Sequence, residues 1–343
     1  MPDFTPGQTG TDEVLFARDG VLGRVLLNRP KAINSLTRDM VVAVRAQLEA
    51  WADDDGVTAV SLEGAGERGL CAGGDIRAVR EAHLAGTTGG VDFWADEYVL
   101  DAQIAEYTKP VIAVMDGIVM GGGLGISMFA GARWVTERSK VAMPETKIGF
   151  FPDVAATYRL SRAPGEFGTH LALTGATVTG ADAVHLGLAD CVVDAASIPE
   201  RLAAVAAGGP VEAVPDDAID EGSPLAEARA WVDECYAGND PVAILERLRA
   251  HPHPDARAAA AEIEARSPFS VAVSLEAVRR AADAASVREV LKTDTVVSAR
   301  LLERGDFTEG VRALLVDKDH QPTWTHRDLA AVPREQVLDV FAG

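Results

Sequence analysis

Two carboxylates, Glu145 and Asp153, stand eight residues apart in the stretch MPETKIGFFPD (143–153), downstream of three consecutive glycines, Gly121, Gly122 and Gly123. A carboxylate so placed can serve as general base, general acid or nucleophile. Glycines between an apolar strand and a helix leave backbone N–H groups uncovered, and the start of a helix favours negative charge there. A second glycine-rich turn, CAGGD (71–75), also follows an apolar strand and precedes a helix. Two such turns facing each other would each offer one N–H to a carbonyl oxygen that becomes negative during reaction. Each feature alone has a plainer explanation. Glycines permit tight turns and close packing, Glu145 after Pro144 suits the first turn of a helix, and Asp153 suits a helix cap. Their co-occurrence is what points to an oxyanion site served by an acidic catalyst.

Other candidate chemistries fail on spacing. The run Gly125-Ile126-Ser127-Met128-Phe129 approaches the G-x-S-x-G nucleophile elbow but lacks its second glycine. The same glycines break the G-x-G-x-x-G dinucleotide pattern at Ile126. Cys71, inside a glycine turn, reads as a small buried residue rather than a catalytic thiol. His251 and His253 flank prolines with no partner at metal-ligand spacing, so they read as surface histidines and no metal is assigned.

The 343 residues carry 48% hydrophobic and 24% charged side chains, an ordinary soluble composition able to bury a large core. A formal net charge of −20 argues against a broad nucleic-acid or anionic-membrane surface. A phosphorylated small molecule would then need a local basic pocket. Three widely spaced cysteines, Cys71, Cys191 and Cys235, do not suggest a disulfide framework. The amino terminus has neither a basic start nor an apolar run, and no apolar stretch reaches membrane-spanning length, so the expectation is a reducing cytoplasm.

Strand and helix patterns alternate through the first two thirds of the chain. Strands are expected at 21–27, 57–62, 110–116, 133–137, 140–142 and 189–193. Helices are expected from Thr37, from Asp75, over 91–107, after the glycine triplet to about Gly131, over 169–173, and from Thr179 to His185. Beyond residue 205 the pattern holds no convincing strand. Asp240 before Pro241 marks a helix start, and Ser286 with Glu289 and Asp306 with Glu309 both read as capping boxes. The expected division is a disordered lead at 1–12, an α/β core at 13–205, and a helical region at 206–343.

At these residues the chain resembles the crotonase (enoyl-CoA hydratase/isomerase) superfamily, and within it the branch that hydrolyses 3-hydroxyisobutyryl-CoA. The resemblance runs from about residue 13 to 341. Its general signals are LNRPKAINSL (27–36), GLCAGGDIRA (69–78) and MDGIVMGGGLGIS (115–127). More specific to the hydrolase branch are MPETKIGFFPDV (143–154), LALTGATVTGAD (171–182), SPFSVAVSLEAV (267–278) and FTEGVRALLVDKDHQPTW (307–324).

The resemblance implies a spiral of strand–strand–helix units with a carboxyl-terminal helical region, and an acyl-CoA substrate whose CoA is not a separate cofactor. It implies that backbone N–H groups of Gly74 and Gly122 hold the thioester oxygen. Glu145 matches the family's catalytic glutamate and Asp153 the hydrolase's second acid. Glu97 matches a further substrate-site acid, although by itself it reads as a solvated helix residue. Lys31 and Arg77 match positions that hold CoA phosphates. Hydratases of the family place a second glutamate where this chain has Gly125. That loss favours hydrolysis of a short branched 3-hydroxyacyl-CoA, in valine breakdown, over the alternative of an enoyl-CoA hydratase or isomerase. Glu145 would either attack the carbonyl or activate water. Members of the hydrolase branch carry glycines after FPDV, where this chain has Ala155 and Ala156. The superfamily also implies a homo-oligomer, trimer or hexamer, and no nucleic-acid or membrane partner.

Overall fold

The computed structural model describes residues 2–219 and 222–342. Its strands in chain order are β1 (Thr5–Pro6), β2 (Val14–Asp19), β3 (Leu22–Leu27), β4 (Ala59–Gly64), β5 (Val111–Met115), β6 (Ile118–Met120), β7 (Ala132–Thr136), β8 (Lys140–Ala142), β9 (Thr177–Thr179) and β10 (Cys191–Val193). A seven-stranded sheet takes the order β1-β2-β3-β4-β5-β7-β10, and β6-β8-β9 form a second, three-stranded sheet. The β1–β2 and β2–β3 pairs are antiparallel, and every later pair of the large sheet is parallel. Successive strands add at the same edge, so the sheet grows as a spiral. A chain wound this way buries its later strands on both faces. The continuous apolar run of β5, buried at every position, follows from that.

The chain divides into two compact units built from interleaved segments. One comprises Met1–Asp75, Asp96–Val141 and Val178–Pro224. It contains the large sheet, with Leu22, Ile112, Val114, Trp134 and Leu202 in its core. The other comprises Ile76–Ala95, Ala142–Thr177 and Leu225–Gly343 and is helical. These units cut across the expected boundary at residue 205, because segments near residues 80 and 160 pack with the carboxyl-terminal helices. Within the expected lead of residues 1–12, Thr5 and Pro6 pair with Phe16 and Leu15.

The helix starts follow the sequence closely. Thr37 caps Arg38–Ala52 by accepting from the Met40 N–H, and Thr179 with Asp182 makes a complete capping box. Asp240 caps the helix that Pro241 begins. After the glycine triplet the helix is shorter than expected, Gly122–Gly125 instead of reaching residue 131. The Ser127 hydroxyl there donates to the Gly123 and Leu124 carbonyls, and the chain continues in turns in which the Ser127 and Met128 N–H groups also donate to the Leu124 carbonyl. Asp306 does not cap its helix. Gly305 stands at the cap, and the Asp306 carboxylate accepts from the Ser267 and Thr325 hydroxyls. It thus ties three parts of the helical unit together.

Candidate active site

In the sheet-bearing unit, backbone hydrogen bonds lay the two glycine turns side by side. Cys71 N–H donates to the Ile118 carbonyl, and Met120 N–H donates to the Cys71 carbonyl. Isolated bridges join Gly69 to Gly117 and Cys71 to Val119. The approach is too close for side chains: a Cβ on Gly123 would run into the Cys71 carbonyl. Gly121, at φ 51 and ψ −125, occupies backbone space that only glycine adopts readily. A Cβ built on Gly122 would stand 3.4 Å from the Gly74 nitrogen and well inside van der Waals contact with Glu97 Oε1. Gly74, Gly122 and the Glu97 carboxylate therefore share one place.

Glu97 lies on the helix Gly89–Ala105 and is only 2% exposed. The solvated reading of this residue is corrected by that burial. Phe93, Glu97, Leu100 and Ile104 recur at helical spacing on the inward face. A carboxylate kept there at desolvation cost has a purpose beyond solubility. Cys71, fully buried nearby, has its thiol pushed up to about 12, first by burial and further by the charge of Glu97. It is chemically quiet at neutral pH.

The other two acids belong to the helical unit. Glu145 opens a single 3-10 turn, Glu145–Ile148, with Pro144 at its cap, and is 7% exposed. Its backbone carbonyl accepts from Phe150 N–H at 3.0 Å, which closes the turn. The turn is backed by the helix Asp306–Val311. Gly149 lies against the Asp306 carbonyl and Gly310 against Ile148, both too close for a Cβ. Phe150 stacks on Trp94 at 4.8 Å and meets Phe307 at 5.4 Å. Lys147, two residues from Glu145, has its pKa lowered by burial and by Arg266, against the opposing pull of Glu145.

Asp153 is 5% exposed and starts a tight turn whose Ala156 N–H donates to the Asp153 carbonyl at 2.8 Å. Both central residues, Val154 and Ala155, have positive φ, at 51° and 55°. Such a mirror-image turn ordinarily recruits glycine or asparagine. The alanine that replaces the expected glycine at 155 is thus held in a left-handed conformation.

Among the buried acids that the sequence reading passed over, one meets the Asp153 turn. Asp294 lies within the helix Val287–Leu302, is 1% exposed, and accepts from the Ala155 N–H at 2.8 Å. Burial raises its pKa well above the ordinary carboxylate value, and the charge of Asp153 raises it further against the Ala155 hydrogen bond. A signal was present. Val290, Leu291, Asp294, Val297 and Leu301 share the apolar face, with an acid in the middle of it.

The cations expected to hold phosphates are on different units. Lys31 is exposed on the turn Pro30–Ala32, and Arg77 starts the helix Ile76–Leu84. The Arg77 guanidinium donates to the Leu315 carbonyl. Among the described residues no cluster of His, Cys, Asp and Glu has metal-binding geometry. No helix among them is long and apolar enough to cross a membrane.

Comparison with known proteins agrees with this architecture. The enoyl-CoA hydratase/isomerase family model matches residues 22–341. The mitochondrial 3-hydroxyisobutyryl-CoA hydrolase of Rattus norvegicus is 37% identical over 97% of this chain and 89% of its own length. The human enzyme of that name is 34% identical over 96% of this chain and 88% of its own. Among solved structures, one described as a carnitinyl-CoA dehydratase from Mycobacterium thermoresistibile superposes with a TM-score of 0.93, at 48% identity and 97% coverage of both chains. One described as an enoyl-CoA hydratase from Rhodobacter sphaeroides reaches 0.92 at 38% identity, covering 96% of this chain and 97% of its own. With a family match over nearly its whole length, the chain belongs to the enoyl-CoA hydratase/isomerase family.

Proposed function

We propose that this protein hydrolyses 3-hydroxyisobutyryl-CoA, a short branched hydroxyacyl thioester, to 3-hydroxyisobutyrate and free CoA, a step of valine breakdown. The observation that carries the reading is Gly125 inside a helix otherwise matching the family, at the position where its hydratases hold a second glutamate. Hydration of a double bond asks for two carboxylates, one to orient water and one to move the α-proton. Hydrolysis asks for an oxyanion hole, an attacking group and a positioned water. The backbone N–H groups of Gly74 and Gly122 take the first role, and Glu145 the second, as nucleophile or as general base. Asp153 binds the substrate's 3-hydroxyl or positions the water, and Glu97 adds a further acid beside Gly122. Lys31 and Arg77 are assigned to the CoA phosphates. The names of the curated relatives support hydrolysis.

A second reading, a lyase, is favoured by the descriptions of the two solved structures above and by Glu97 as the relocated acid. The hydrolase reading also takes the protein to be a cytoplasmic homo-oligomer, trimer or hexamer, needing no cofactor besides the CoA of its substrate. Light scattering tests the assembly. Glu145→Ala tests the chemistry: turnover should fall by about 100-fold or more while CoA-thioester binding is retained. Near-normal turnover in that variant would overturn the assignment.

A further inference from the structure

Asp153 sits at the head of a turn that the chain has no intrinsic reason to form. Positive φ at Val154 and Ala155 places a β-branched residue and an alanine where side chains meet their own backbone. Such a conformation persists only where the surroundings impose it. Val154, Ala155 and Ala156 are all fully buried, so water cannot satisfy the turn's amides. The partner of the Ala155 N–H is Asp294 Oδ2 at 2.8 Å, reaching from the interior of the helix Val287–Leu302, 139 residues downstream. An aspartate in the apolar face of that helix costs desolvation and would ordinarily be replaced by a hydrophobic residue.

We propose that Asp294 is a positioning residue for the reaction, fixing the strained Asp153–Ala156 turn and through it the aim of the Asp153 carboxylate. The inference rests on the hydrolase reading, with Asp153 as the group that reads the substrate's hydroxyl. Burial, and further the charge of Asp153, raise the Asp294 pKa and so favour its neutral form. Asparagine can therefore replace it as a neutral acceptor of the same shape, whereas alanine leaves the Ala155 N–H buried without a partner. A helix 139 residues away in sequence thus sets the geometry of an acid in the Pro152-Asp153 loop.

The test compares kcat/KM for 3-hydroxyisobutyryl-CoA and isobutyryl-CoA in the full-length protein. Asp294→Ala should lower the preference for the hydroxylated thioester about tenfold, the loss also expected of Asp153→Asn, and adding it to Asp153→Asn should lower it no further. Asp294→Asn should keep the preference within about threefold. Equal losses on both thioesters, or additive losses in the double variant, would overturn the proposal. If Asp294→Ala does not fold, Ala155→Gly/Asp294→Ala replaces it, since glycine removes the strain that Asp294 opposes. Hydrogen exchange at the Ala155 amide needs no turnover. It should accelerate about 100-fold in the alanine variant and not in the asparagine variant. If the wild-type protein hydrolyses neither thioester, the functional reading falls, and this exchange result alone upholds or overturns the anchor.

Discussion

Deep burial is shared by the three carboxylates proposed to act on substrate and by a few other acids, among them Asp101, Asp294 and Asp306. Of its 52 Asp and Glu residues most are solvated, as a net charge of −20 requires, yet Glu97, Glu145 and Asp153 are all less than a tenth exposed. Removing a carboxylate from water costs several kcal/mol unless something in the site repays it. Glu145 and Asp153 stood out as candidates because Pro, Gly and acid recur together over a few residues. Glu97 became a candidate only through family resemblance, since nothing local in the sequence distinguishes it from a surface glutamate. Asp294 stayed unread because a lone acid on an apolar helix face names no partner until the fold supplies Ala155. Two outcomes belong to this scale. Asp153→Asn should reduce kcat/KM for 3-hydroxyisobutyryl-CoA by about tenfold more than for isobutyryl-CoA; equal losses would refute a role in reading the hydroxyl. Gly122→Ala should cost about 100- to 1000-fold in turnover, because its methyl group displaces Glu97 and crowds the Gly74 N–H. Thiol-release kinetics on both variants decide these.

Elements explain why the carboxyl-terminal helices accompany the Glu145 turn. Gly149 and Gly310 let the Glu145 turn and the helix Asp306–Val311 meet backbone to backbone, and Phe307 fills the space against Trp94 and Phe150. Phe307 is fully buried, so Phe307→Ala should destabilise the protein by about 3–5 kcal/mol and lower kcat through the loosened Glu145 turn. Thermal unfolding and turnover measured together test this, and unchanged kcat at full folding would separate the helix from the loop. Capping signals at Thr37, Thr179 and Asp240 located helix starts correctly, since a cap is a local bargain between neighbouring residues. The Asp306 cap failed for the complementary reason. Its carboxylate found distant hydroxyls on Ser267 and Thr325, and sequence spacing carries no information about those.

For the whole molecule, strand–helix alternation correctly announced an α/β core followed by helices, and the family resemblance added the spiral, but neither told how the segments regroup. The helical unit reclaims residues 76–95 and 142–177, which the boundary read at residue 205 assigned elsewhere. Long-range packing, here the fit of the Glu145 and Asp153 segments to the late helices, leaves no periodic trace in sequence. The helical unit also holds a pH-sensitive group. His170 is buried against Tyr236, its Nδ1 2.8 Å from the hydroxyl, and burial lowers its pKa from 6.5 to about 4. Because the folded state disfavours the protonated ring, this contribution to stability is complete above pH 6.5 and is lost as pH falls through about 4. His170→Gln should flatten the fall in Tm over that window, and an unchanged slope would assign acid sensitivity to other groups. The central claim is the reaction itself. Free-thiol release from 3-hydroxyisobutyryl-CoA should be measured beside loss of the conjugated double bond of crotonyl-CoA. The account predicts rapid thiol release with little hydration, and hydration without thiol release would contradict it.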